Sequence, residues 1–587
     1  MEKPTFAFTP EEQALNARLL AALPRGSSIK KRDRIVDYEV VEMSALFREG
    51  NPNKLTAEQV LLAYLNRISQ FNGTFETYDE NGGYNAFVRI DLIEAQEQAR
   101  LADEWLSNPN DERGPAPPLC GIAMGVKDSI GIQDRKSTNG TAAFSSNIAL
   151  QDATCVTKLR AQGAVLVGHN TCSAYSGDTT GTFAGNAWDP ARAPGGSSQG
   201  SGVAPVARLC AASLGEETGG SMIIPAACNG ASAIKPSLGL VSVAGLMPAS
   251  NGLDVIGPMC RSVRDASLIL SLISGIDQLN DPHTLSAPIP PNLLPTTARE
   301  GLLPLRGLTI GVPQTDWMNS ISVPPADTYD PDYKLAFDRF KGQLRDLGAT
   351  VVEFPGLDLQ IPDNAPFTHS HELGLLPDLE PITPFKAVFW SNGLDCRHWQ
   401  SVAEFAQDLP AEYRTELLGH YHPATNTSAS YITSAMRTEA EERRRREQAL
   451  LQQALDDYAV DFMLVMPLGA HIGRRFDGSE RLPNQRSHYD VPNLQGWPML
   501  TFPIGYGRTG LPAQLPITAA FWGTRFNEAM IIQAAIDFQD RFPEYHNAVP
   551  PDPTFGPDTK RPPHIPRVQP VTPETSTDPI IMQRGRS

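Results

Sequence analysis

Three short segments of this chain carry residue types that could share one reaction. Gly195-Gly196-Ser197-Ser198-Gln199-Gly200-Ser201-Gly202 is a serine–glycine run, Thr218-Gly219-Gly220-Ser221 is a second, and Gly125-Val126-Lys127-Asp128 places a lysine upstream of both. A serine hydroxyl is a weak nucleophile until a neighbouring base takes its proton. A lysine can be that base only when neutral, so burial away from anions must lower its ordinary value of about 10.4. Met124 and Val126 give Lys127 an apolar approach. Glycines beside a serine let consecutive backbone amides converge on one point, as a developing oxyanion requires. The three segments together are equipment for acyl transfer without a histidine.

Serine–glycine runs are more often linkers. Here the first enters an apolar stretch, 203–214, which predicts a buried helix. The second enters Ile223-Ile224-Pro225-Ala226-Ala227, a similar design. A glycine loop that feeds a buried helix aims its N–H groups at one place. Gly196-Ser197-Ser198-Gln199-Gly200 also fits G-x-S-x-G, but that nucleophile elbow must follow a strand. The preceding residues, 186–194, read as a loop, which disfavours an α/β-hydrolase.

These segments need a scaffold. With 587 residues, the chain is long enough for one large α/β core with insertions. Its 41% hydrophobic content supports a sizeable core, and a net charge of −17 disfavours nucleic acid as a direct partner. The Arg443–Arg446 run lies on an expected helix at 435–457, where Glu439, Glu441 and Glu442 sit at pairing distance. It therefore reads as a solvated face. The seven cysteines, Cys120, Cys155, Cys172, Cys210, Cys228, Cys260 and Cys396, are odd in number and form no CxxC. Reduced, buried thiols in a cytoplasmic protein are expected. The start of the chain lacks the apolar run of a signal peptide, and 266–276 is too short to span a bilayer. His369 and His371, like His420 and His422, lack partner carboxylates or cysteines at a metal-binding spacing, so no metal and no cofactor is expected.

Along the chain, 56–68 predicts an amphipathic helix capped by Thr56 and Gln59, and 91–107 a second. From 119 the pattern alternates: strand 122–126, helix 153–162, strand 164–168. Further on come strand 308–313, helix 332–346, strand 350–354, helix 435–457 and strand 462–467. This order predicts an α/β fold, a mixed sheet sandwiched between helices in a single large domain at 35–545. Residues 1–34 read as an arm and 546–587 as a proline-rich tail. Within the domain, 119–276 forms the chemistry-bearing core, and 278–440 shapes the substrate pocket.

Gly-Gly-Ser-Ser-Gln-Gly-Ser at 195–201 and Gly-Glu-Glu-Thr-Gly-Gly-Ser at 215–221 resemble the amidase signature family of serine hydrolases. Gly125–Asp128, Ile234-Lys235-Pro236-Ser237, Asp254-Val255-Ile256-Gly257-Pro258-Met259 and Asn493-Leu494-Gln495-Gly496-Trp497-Pro498-Met499-Leu500 resemble its further motifs, in order. The resemblance covers about 35–545. It implies Ser221 as nucleophile, Ser197 as a relay serine on a cis peptide, and Lys127 as base, with Ser198 holding the lysine. The amides of Thr218, Gly219, Gly220 and Ser221 would form the oxyanion hole. It implies hydrolysis of a small-molecule amide through an acyl-enzyme, with no membrane span; a homodimer is compatible with it. Gln199 and Glu217 stand where glycine and aspartate are usual. Ile223 stands where many members have arginine, which implies an uncharged or apolar acyl group. Two alternatives are an amidase component of a tRNA-dependent amidotransferase, working in a complex, and a catalytically silent scaffold.

Overall fold

Two of the three chemistry-bearing segments leave one sheet at the same edge. The computed structural model describes residues 8–553 except 50–53, 77–82, 146, 177–183, 248, 250–251, 289–293, 314–328, 355–433, 476–481, 483, 485–489 and 508–513. Its strands are β1 (Phe87–Ile90), β2 (Ala123–Lys127), β3 (Val165–Asn170), β4 (Ala212–Glu217), β5 (Ser232–Lys235) and β6 (Val255–Cys260). They continue with β7 (Thr309–Pro313), β8 (Thr350–Phe354), β9 (Phe462–Val465), β10 (Met499–Gly507) and β11 (Leu515–Trp522). Among the described residues these form one 11-stranded mixed sheet in the order β1-β3-β2-β4-β6-β5-β10-β11-β9-β7-β8.

β2 runs parallel to both β3 and β4, with Val126 level with Leu214. The carboxyl ends of β2 and β4 therefore point the same way. One delivers Lys127, and the other delivers Glu216, Glu217 and the turn to Ser221. The carboxyl edge of adjacent parallel strands is where open α/β sheets place their ligands. β6 pairs antiparallel with β4 through Glu217 and Val255, which brings Asp254 beside the same turn.

The helices are α1 (Pro10–Ala21), α2 (Val40–Leu46), α3 (Ala57–Phe71), α4 (Leu92–Ser107), α5 (Thr154–Ala161), α6 (Gln199–Val206), α7 (Ile223–Asn229) and α8 (Val263–Ile273). They continue with α9 (Pro331–Asp346), α10 (Ser434–Asp457), α11 (Asp490–Gln495) and α12 (Glu528–Arg541). α3 starts at the expected Thr56 capping box, and Val60, Leu61, Tyr64, Leu65 and Ile68 form its buried stripe. The expected arm contains α1, itself capped by Thr9 and Glu12, with Leu19 buried.

One expectation fails in a useful way. The apolar stretch 203–214 is not one helix: α6 stops at Val206 and β4 begins at Ala212. Arg208 takes a left-handed conformation (φ 62°), and Leu209 N–H donates to Ala204 O at 2.8 Å, closing the helix end. The Arg208 guanidinium, buried and pushed down to about 9 by that burial, donates to Val206 O at 2.6 Å. Apolar composition marked burial correctly; it could not distinguish a helix from a helix–turn–strand.

Six cysteines are free and buried. No helix among the described residues is long and apolar enough to cross a membrane. Cys396, both histidine pairs, the C-terminal tail beyond 553 and most of the expected pocket region lie outside the described residues, as do the side chains of Glu439, Glu441 and Arg443.

Candidate active site

Lys127 ends β2 with its side chain fully buried. Its Nζ donates to Ser197 Oγ at 2.7 Å. Ser197 is 2% exposed and follows a cis Gly196–Ser197 peptide. Its carbonyl accepts from Ser173 N–H at 2.9 Å and Gln199 N–H at 2.8 Å, so the backbone on both sides fixes the hydroxyl's position. The loop can lie this deep because Gly200 has no side chain: a Cβ there would sit 2.0 Å from Ala86 O. Gln199, where a glycine was the expected pattern, uses its amide as a brace. It accepts from Ala184 N–H at 3.0 Å and donates to Ser173 Oγ at 3.0 Å.

Ser221 is 8% exposed in the turn between β4 and α7. Ser198 N–H donates to Ser221 O at 2.9 Å, which ties the two serine loops together. Ser198 does not hold Lys127 directly. Its hydroxyl donates to Glu216 O at 2.9 Å and accepts from Glu216 N–H at 3.2 Å, so it fixes the strand beside the lysine.

The expectation that Lys127 is buried away from anions is overturned. Its Nζ also donates to a carboxylate oxygen of Glu216, which is fully buried as well. Glu216 Oε1 lies 2.7 Å from Thr218 Oγ1, which in turn lies 2.5 Å from Asp254 Oδ1. Sequence reading missed Glu216 and Asp254. The usable signal was the Glu216-Glu217 doublet on a strand, where successive side chains must face opposite ways.

Glu217 takes that other side. Its carboxylate accepts from Gly220 N–H at 2.7 Å, Ile223 N–H at 3.1 Å, Met222 N–H and Asn493 Nδ2 at 2.7 Å. Burial pushes the Glu217 carboxyl up, opposed by these donors. One of the four expected oxyanion donors is thereby corrected: the Gly220 N–H is taken by Glu217, whose extra methylene reaches into the turn. No hydrogen bond among the described residues occupies the N–H groups of Thr218, Gly219 and Ser221. Gly220 holds a φ of 106°, which bends the turn so that Gly219 is left open to solvent.

The later motifs brace this turn. Lys235, fully buried and pushed down to about 7 by burial, donates to Trp497 O at 2.5 Å. Leu238 N–H donates to Gly496 O at 3.0 Å. Asn493 is thus held where it meets Glu217. Ile223 opens α7 fully buried. No group of three or more potential metal ligands occurs among the described residues.

The chain has relatives in sequence and in fold. A family model described as Amidase matches residues 60–532. A glutamyl-tRNA(Gln) amidotransferase subunit from Roseiflexus sp. (strain RS-1) is 30% identical over 476 residues, 79% of this chain and 90% of that protein. The same subunit from Thermosynechococcus vestitus (strain NIES-2133 / IAM M-273 / BP-1) is 30% identical over 524 residues, 86% of this chain and 98% of its own. Among solved structures, the native peptide amidase from Stenotrophomonas maltophilia superposes with a TM-score of 0.69 at 24% identity, covering 88% of this chain and 98% of that one.

Proposed function

The chain belongs to the amidase family, whose members act on carbon–nitrogen bonds, and from that premise we propose that it hydrolyses a carboxylic amide through a Ser221–Ser197–Lys127 triad. The observation that carries this reading is the 2.7 Å contact of buried Lys127 Nζ with Ser197 Oγ, in a loop hydrogen-bonded to Ser221.

Ser221 Oγ attacks the amide carbonyl, and its proton passes through Ser197 to Lys127. The oxyanion rests on the Thr218, Gly219 and Ser221 amides, with Gly220 held back by Glu217. The relay returns the proton to the leaving amine, and water releases the acyl group. Ile223 is buried and apolar, so the position two residues after the nucleophile adds no cation to the cleft. That favours an uncharged or apolar acyl group. A panel of neutral and carboxylate-bearing primary amides tests the reading: hydrolysis of the neutral set, lost in Ser221→Ala, is expected. Equal turnover by Ser221→Ala would end it.

A second reading has its own support. The relatives at 30% identity are components of amidotransferases, and the chain covers 90% of the Roseiflexus protein's length. In that reading the chain works in a complex, with a nucleophile other than water accepting the acyl group. Full amide hydrolysis by the isolated chain counts against it. Activity that appears only with a co-purifying partner supports it.

A further inference from the structure

One buried side chain near the relay serine holds a hydrogen-bond donor that no group among the described residues accepts. Asn139 is 2% exposed. Its Oδ1 faces inward and accepts from the Ser176 hydroxyl at 2.9 Å and from the Cys172 thiol at 3.8 Å. Its Nδ2 carries two N–H donors, and among the described residues neither meets an acceptor. The nitrogen is not sealed from solvent either. An amide donor in so buried a place is costly unless a ligand or water takes its hydrogens. Both residues of the Ser176–Asn139 contact are left-handed, Asn139 at φ 45° and Ser176 at φ 56°. Such a backbone is uncommon outside glycine and persists where the surroundings enforce it.

The loops around the proton path set its position. β2 and β3 are adjacent and parallel, so the loops that follow them leave the sheet together. In the first loop, the N–H groups of Thr138 and Gly140, on either side of Asn139, donate to the Asp128 carboxylate at 3.2 Å each. Asp128 follows Lys127 in the chain. In the second loop, Ser173 N–H holds Ser197 O at 2.9 Å, one residue after the thiol that donates to Asn139. The two loops touch, since a Cβ on Gly140 would lie 2.5 Å from Cys172 O. Asn139 therefore stands on the Lys127–Ser197 side of the site rather than on the oxyanion turn.

That side is where the amine leaves. When the carbon–nitrogen bond breaks, its electron pair stays on nitrogen, the proton arrives from Ser197, and the acyl group stays on Ser221 Oγ. The nitrogen must then lie at the Ser197 hydroxyl, and whatever it carries is presented to the loops that grip Ser197. We propose that Asn139 is a specificity-determining residue that donates from Nδ2 to an oxygen on the amine half of the substrate, so that the chain prefers amides whose amine carries a carbonyl oxygen close to the nitrogen. This rests on the Ser221–Ser197–Lys127 reading and deepens it by naming what the leaving group bears. A site with a buried donor rejects an analogue that lacks the acceptor, because the donor is then covered and left unpaired. A primary amide can still be cleaved, but it draws nothing from Asn139.

The test gives the full chain a matched pair of amides of phenylacetic acid. One is the N-(2-oxopropyl) amide, and the other is the N-isobutyl amide, which has a methyl in place of the carbonyl oxygen. Wild type should favour the first in kcat/KM by about 10-fold or more. Asn139→Asp keeps the oxygen that Ser176 and Cys172 donate to, tolerates the left-handed backbone and replaces the donor with an acceptor. Its ratio should fall to unity or below. Asn139→Gly suits the same backbone, has no side chain and should bring the ratio to unity, and it decides should the aspartate variant fail to fold. An asparagine that only supports the loops would slow both substrates alike. A ratio of unity in wild type, a labelled wild type that leaves the oxopropyl amide uncleaved, or an unchanged ratio in a folded variant overturns the proposal. Fluorophosphonate labelling of Ser221 in each variant shows that the nucleophile is in place. A wild type that takes no label and cleaves neither amide would bring down the triad reading itself, an outcome distinct from a flat ratio in an active enzyme.

Discussion

The two glutamates that end β4 share a strand and a burial state, yet they serve opposite sides of the site. Glu216 faces the base and touches the Lys127 amine, whereas Glu217 faces the oxyanion turn and accepts from three backbone amides and Asn493. A strand's alternation puts neighbours on opposite faces, so one short segment supplies charge to the proton path and shape to the turn. The lesson is that like residues in the same buried strand are distinguished by their partners. One partner is a side-chain amine, and the others are amide dipoles.

The comparison can be broken most directly at its centre. Ser221→Ala should abolish acylation, and Lys127→Ala should lower the steady-state amidase rate by about 10²–10⁴-fold, the usual worth of a general base. Activity near wild type in either would remove the reason for distinguishing the two sides. Glu217→Gln sharpens it. Its expected loss in kcat is up to about 10²-fold, as for a disturbed oxyanion donor, with the pH profile unmoved. A displaced acidic limb in Glu217→Gln would erase the division. Asn493→Ala removes one of Glu217's four donors and should cost about 1–3 kcal/mol of stability, read by denaturant unfolding, with a smaller kcat loss.

The smallest effect is a shallow slope in stability. Lys235 is held neutral down to about 7 against 10.5 for a free lysine. Between those values the unfolded chain binds the proton and the folded chain does not, so stability rises with pH. The cost of burying Lys235 is fully felt below pH 7 and gone above 10.5. Thermal melts of Lys235→Met should lack that rise across the same window, while keeping the wild-type pH profile of labelling.

Part of this site was legible because its residues fall in three short, recognisable segments. The segments of Lys127, Ser197 and Ser221 offered acyl-transfer chemistry, the family resemblance implied which residue takes which role, and the alternating elements predicted the mixed sheet that holds them. What was hidden depended on pairing across distance. Glu216 meets Lys127 because β2 and β4 are adjacent and parallel, and Asp254 meets Thr218 because β6 pairs with β4. Neither register is written in the local sequence. The Gly220 amide looked available until the length of the Glu217 side chain, folded back onto its own turn, removed it. The end of α6 was hidden for a different reason: its signal is one arginine in a left-handed conformation, a residue with no special preference for it.

The central claim is that Ser221 is a nucleophile activated through Ser197 by Lys127. The most direct test is to label the purified chain with a fluorophosphonate and locate the adduct by mass spectrometry. The adduct should sit on Ser221, disappear in Ser221→Ala and drop sharply in Lys127→Ala. Folded protein that stays unlabelled, or carries the adduct on another residue, would contradict the account.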